Sequence, residues 1–224
     1  MAENEKWVCA WGNAISIVDR RPENYSKDLT LRYPVSIPFA GRKVRLHFDN
    51  FCGEEDAVLN RVCIAACAGG DAVLPETEVP VTFGGKTSVT LAAGADMYSD
   101  EIDFSVYEGM DVSVSFYLKD FTEMRSGVVI TGPLSRGFFA VGDCVSEAEL
   151  PVDLSRSTNT YYFLSGIDVL TSSENHALIC FGDSITAQAW PDYLLIRTAA
   201  EGYTHRSIIR RAASGTRILR QYDN

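Results

Sequence analysis

Ala177-Leu-Ile-Cys-Phe-Gly-Asp-Ser-Ile-Thr186 reads as an apolar strand that stops at a glycine and turns sharply. The apolar residues and Phe181 predict a short buried strand. Gly182 permits a tight turn, and Asp183-Ser184 rides on it. Trp190-Pro191-Asp192 then opens a helix, with proline and an acid in its first turn, where unpaired amides favour both. Strand, turn and helix in this order lift the Ser184 hydroxyl to the carboxyl edge of a sheet, the edge at which open α/β sheets bind ligands.

Working outward, the helix is expected from Pro191 to about Glu201, with Leu194, Leu195 and Ala199 on or near its apolar face. Gly202 closes it. Thr204 to Ile209 reads as a second strand, parallel to the first. This is the opening β-α-β unit of a doubly wound domain, which normally needs roughly 100 residues or more, whereas only about fifty follow residue 172. A lone unit of this kind would leave sheet edges and helix faces uncovered. A completing segment is therefore expected, on a continuation or on a second chain. Thr171-Ser-Ser-Glu-Asn175 is polar and marks the boundary between residues 1–172 and 173–224.

Residues 7 to 172 read as nearly all β. Short alternating segments are punctuated by Gly, Pro, Asn and Asp. Arg42-Lys-Val-Arg-Leu-His-Phe-Asp49 puts Val44, Leu46 and Phe48 on one face and Arg45, His47 and Asp49 on the other. Val79–Phe83 and Thr87–Leu91 flank Gly84-Gly85-Lys86 and predict a hairpin. Met110–Leu118 alternates cleanly. Gly137–Val141, Thr160–Leu164 and Ile167–Leu170 complete the set. Such a series predicts a β-sandwich or jelly roll.

Phe181-Gly-Asp-Ser-Ile-Thr186 closely resembles the first block of the GDSL, or SGNH, hydrolases, and Ile208-Ile-Arg-Arg-Ala-Ala-Ser-Gly-Thr-Arg-Ile-Leu219 resembles their second block. Gly-x-Ser-x-Gly is absent, so the turn is not the elbow of α/β-hydrolases. Trp7–Gly12, Thr30-Leu-Arg32, Lys43–Asn50, Val81–Gly85 and Ser99-Asp100 are similar to the N-terminal domain of a bacterial two-domain subset of that family. The resemblance implies an incomplete flavodoxin-like α/β/α domain after the sandwich. It implies Ser184 as nucleophile, with the Ser184 and Gly215 amides in the oxyanion hole. It gives Asp183 a supporting role without proton transfer. Two positions depart from the pattern: Arg210 stands where Asn is usual, and Ala212 where Gly is usual. The blocks that carry the family's oxyanion-hole Asn and its Asp and His have no counterpart here.

The bland alternatives are specific. Ser184 could be a serine that satisfies helix amides, and Gly215 a plain loop glycine. A general base must come within about 3 Å of the hydroxyl, or act through one water. His176 and His205 precede their strands, roughly 20 Å from the serine at about 3.3 Å per residue. His47 belongs to the β region. Surface positions are expected for all three. Arg217 and Arg220 are expected to be solvated or paired with acids. Trp7, Trp11, Tyr161 and Tyr162 could form a sugar-stacking platform, although core packing is the commoner fate of such residues.

Net charge is −10 over 224 residues, which argues against nucleic acid and anionic lipid as partners. No apolar run approaches the ~18 residues of a membrane span. Met1-Ala-Glu-Asn-Glu-Lys6 is unlike a signal peptide, which favours a cytoplasmic location, or secretion if a leader has been removed. The six cysteines, at 9, 52, 63, 67, 144 and 180, lack the spacing of a stapled domain. Cys63-x-x-x-Cys67 lacks the further ligands of a zinc site. No metal or organic cofactor is expected. The expected partner is a small-molecule or glycan ester. The expected activity is acyl-ester hydrolysis through an acyl-serine. The rival expectation is a non-catalytic β-sandwich that binds a glycan or a protein.

Overall fold

The computed structural model describes residues 4–18 and 24–217. Arg220 and the end of the second block lie outside the described residues. The chain is mainly β, about 50% strand and 7% helix, with a curled antiparallel sheet.

The larger sheet runs, in spatial order, Ser155–Thr158, Gly137–Val141, Leu29–Ile37, Met110–Leu118, Arg61–Gly69 and Ala72–Val73. Its register pairs Phe116, Val114 and Val112 with Leu31, Tyr33 and Val35 on one side, and with Val62, Ile64 and Ala66 on the other. All nine are buried, so alternation puts one continuous apolar face inward. The smaller sheet runs Glu5–Gly12, Leu164–Ser172, Lys43–Asp49 and Asp96–Tyr98. It turns Val44, Leu46 and Phe48 inward, as their alternation with Arg45, His47 and Asp49 requires. The two faces meet where Phe48 packs edge-on against Phe116, with ring centroids 5.5 Å apart. Burying a side chain of this size is worth roughly 1.5–3 kcal/mol.

Arg32 sits on the outer face of the larger sheet, yet it is fully buried. A loop covers it, and every arm of its guanidinium is used. Nε donates to Ser115 Oγ at 2.9 Å and Nη1 to the Asp71 carbonyl at 2.6 Å. Nη2 donates to the carbonyls of Cys144, Val145 and Glu147.

Three local expectations are corrected. Gly84-Gly85 does form a turn, with Phe83 and Lys86 exchanging backbone bonds. Its flanks do not pair with each other, however. Val79–Pro80 joins Arg61–Gly69, while Val89–Leu91 joins Ala57–Leu59. The turn residues act locally, whereas the strands follow the better apolar partners. Thr160–Leu164 is not one strand either. Thr160–Tyr162 pairs with Ser126–Val129, and Leu164–Ser172 runs unbroken in the other sheet. Phe163 stands between them at φ 60°, a rare conformation for an aromatic residue. The backbone bonds Phe163 N to Ser126 O and Asp49 N to Phe163 O hold it there.

The third correction concerns the opening stretch. His176–Gly182 and Arg206–Ala212 do form a parallel pair, and the helix Trp190–Ala200 connects them. But His176–Gly182 is not a buried strand. Ile179 is 62% exposed and Phe181 79%, and only Cys180 is buried. The strand is paired on one side, and Glu5–Gly12 approaches it without covering Leu178, Ile179 or Phe181. The helix is likewise half-covered, and Ala199 is exposed rather than on a packed face. Gly202 ends it as expected: Tyr203 N bonds Thr198 O, and Gly202 N bonds Ala199 O.

Candidate active site

Ser184 occupies the turn between His176–Gly182 and the helix, half-buried. The turn is built by its neighbours. Asp183 O accepts from the amides of Thr186 and Ala187, and Asp183 Oδ1 accepts from Ile185 N at 3.0 Å. The Asp183 carboxylate is therefore committed to the turn. Gly182 is required here, because a Cβ would lie 2.4 Å from Thr186 Oγ1 and 2.9 Å from Thr186 Cβ. The Ser184 hydroxyl has no hydrogen-bond partner among the described residues, so it is not spent on capping a helix.

Gly215 lies in the turn after Arg206–Ala212, at φ 84°. Because the strands are parallel, this turn and the serine turn share one edge. Thr216 joins them: its hydroxyl lies 3.3 Å from Gly182 O and 2.9 Å from Ala213 O. Arg217, just beyond, is exposed and makes no ion pair among the described residues.

The histidines are held elsewhere. His176 pairs with Arg206, and Gly182 with Ala212, so His176 and His205 sit at the far end of the strands. His205 Nδ1 lies 2.9 Å from Asn175 Oδ1, and His176 Nδ1 is 3.4 Å from Lys6 Nζ. His47 is not a simple surface residue. Its Nε2 lies 2.5 Å from Asp96 Oδ2, its Nδ1 lies 3.0 Å from Ser165 Oγ, and its ring stacks on Tyr98. This is a Ser-His-Asp chain in composition only. Ser165 is 1% exposed and has no room for a substrate carbonyl.

Sequence reasoning missed the group that fixes the serine turn in the molecule. Asp192, expected to face the helix amides, turns instead to a buried ion pair with Arg210, 2.6 Å from Nη2 to Oδ1. Its other oxygen accepts from Leu134 N and Ser135 Oγ, and Arg210 Nη1 lies 3.0 Å from Ser135 Oγ. One cluster thus joins the helix after Ser184, the strand before Gly215 and a loop of the β region. Next to it, burial and the Asp192 charge push the Tyr161 phenol well up. Further contacts run along the same seam: Ser207 Oγ donates to Cys9 O at 2.5 Å, and Thr131 N to Ala187 O at 3.3 Å. An arginine inside an apolar strand was the available signal, but its partner lies 18 residues away and could not be read from spacing.

The aromatic residues do not gather into one platform. Tyr161 is buried between Tyr33 and Trp11, and Trp7 faces Arg45 on the other sheet. All six cysteines are free thiols. Among the described residues no group of His, Cys, Asp and Glu could hold a metal ion, and no helix is long and apolar enough to cross a membrane. Comparison with models of known protein families and with curated proteins returns no match.

Proposed function

We propose that this chain is the front part of a serine acylhydrolase of the SGNH type: a jelly-roll-like β-sandwich, residues 1–172, followed by the opening of a flavodoxin-like hydrolase domain, residues 173–224. The observation that carries the reading is the unpartnered Ser184 hydroxyl on a turn that shares a sheet edge with the Gly215 turn. In this reading Ser184 Oγ attacks the carbonyl carbon of a short-chain ester, and a histidine takes its proton. The Ser184 and Gly215 amides, with an asparagine side chain, hold the oxyanion. Collapse of the tetrahedral intermediate expels the alcohol, which receives the proton. Water, deprotonated by the same histidine, then attacks the acyl-serine and releases the acid. In this reading none of the three histidines here is that base, because each is held by a partner other than Ser184.

The test uses the protein as its own cells make it, with p-nitrophenyl acetate as substrate. Ser184→Ala should lower turnover by about 10³-fold or more, the scale of losing a catalytic nucleophile. Turnover untouched by the substitution would overturn the assignment. Intact-mass spectrometry of the same preparation reports whether a second polypeptide accompanies the chain. The engagement of all three histidines favours a second reading, a β-sandwich binding module without catalysis. That reading calls for no serine-dependent turnover in any preparation.

A further inference from the structure

The loop that Asp192 grips from behind forms, on its other side, the wall of a cleft of about 660 Å³. That volume suits a small ligand. The polar side chains of Thr131, Arg136, Ser157, Thr158 and Asn159 line it, with Gly132 and Pro133. Thr158 Oγ1 accepts from the Thr160 amide. The hydroxyls of Thr131 and Ser157, the Asn159 amide and the Arg136 guanidinium have no hydrogen-bond or ion-pair partner among the described residues. Three unpartnered polar groups therefore line one concave surface, beside the Arg136 guanidinium, which lies 6.0 Å from the Phe138 ring centroid. No aromatic ring and no carboxylate lines it, in a chain of net charge −10. On its other side Arg136 borders a hollow that contains Asp111, whose carboxylate takes the Ser36 hydroxyl and makes no ion pair with Arg136.

The wall is fixed in place rather than loosely draped. Gly132 approaches Asp192 so closely that a Cβ would lie 2.1 Å from Oδ2. Ser135 N bonds Gly132 O, and the Ser135 hydroxyl is locked into the buried ion pair. The backbone carrying Arg136 is thus set before any ligand arrives, which lowers the ordering cost of binding.

We propose that this cleft binds a small hydroxylated carboxylate, a sugar acid. The Arg136 fork takes the carboxylate, and Thr131, Ser157 and Asn159 take the hydroxyls. A planar guanidinium matches a planar carboxylate with two parallel bonds. One guanidinium balances one carboxylate charge, whereas a phosphate dianion would stay undercompensated, and no helix N-terminus lines the cleft to help. The Thr131 amide bonds Ala187 O, three residues after Ser184, so one wall of the cleft is bonded to the segment that follows the serine. That the sugar acid is the alcohol side of the ester rests on the reading of Ser184 as nucleophile. Binding itself does not.

The experiment is calorimetric titration of the purified chain with D-galacturonate, D-galactose and D-galactose 6-phosphate, repeated on Arg136→Gln. The substituted side chain is exposed, so the variant is expected to fold. The expected result is saturable galacturonate binding with Kd on the order of 1 mM, at least tenfold weaker for galactose and for Arg136→Gln. Equal affinity for the acid and the neutral sugar, tighter binding of the phosphate, no loss in Arg136→Gln, or no saturation by about 50 mM each overturns the proposal. Ester turnover is not read, so failure of the Ser184 assignment leaves this result standing, and the reverse holds as well.

Discussion

The β region and the β-α-β unit carry similar apolar strands and use them oppositely. In Met110–Leu118 the residues Val112, Val114 and Phe116 are fully covered by a facing sheet. In His176–Gly182 the equally apolar Leu178, Ile179 and Phe181 face outward. Apolar composition creates a tendency to be buried, but only a second layer realises it. The unit is held to the rest by directional contacts, the Asp192–Arg210–Ser135 cluster and Ser207 on Cys9 O, and by the buried Ile209 and Ala213.

The contrast can be broken at its strong end first. Phe116→Ala should cost about 4 kcal/mol, the usual scale for removing a buried aromatic residue. Urea denaturation followed by circular dichroism checks this, and a loss under about 1 kcal/mol would mean that the two faces are loosely packed. At the seam, Asp192→Ala leaves Arg210 buried without its counter-charge and should cost about 3 kcal/mol. Because the seam joins two regions, the loss should appear as early proteolytic cleavage after residue 172, with the β-sheet transition little moved. Equal shifts throughout would show the two regions unfolding as one. At the weak end, Phe181→Ser should change stability by less than about 0.5 kcal/mol, as surface substitutions do. A loss above about 1.5 kcal/mol would reveal that this face is covered in solution.

What the sequence disclosed follows the range of the forces involved. The serine turn is local: Gly182, Asp183 and Thr186 build it within five residues, so its geometry was legible. Alternation in Lys43–Asp49 and Met110–Leu118 was legible for the same reason. The partners of Val79–Pro80 and Val89–Leu91 depend on which distant strand offers the better face, and the Gly84-Gly85 turn concealed that. Arg32 looks like an outward residue in an alternating strand, and Arg210 like one of two adjacent charges in an apolar strand. They are buried because a loop and a helix, far away in sequence, supply their acceptors. The histidine distances were read from strand topology alone, whereas the His47–Ser165–Asp96 chain needed three strands in register.

Arg32 carries a consequence for behaviour in salt. Among the described residues most ion pairs, such as Arg42 with Glu5 at 3.0 Å, lie at the surface, where dissolved ions screen them. The Arg32 guanidinium is held by four carbonyls and a hydroxyl, with no carboxylate in the set. Dipoles packed against a charge and shut away from water have no ion atmosphere to lose. The loop over Arg32 therefore stays fastened in brine as in dilute buffer, while the charged rim around it loosens.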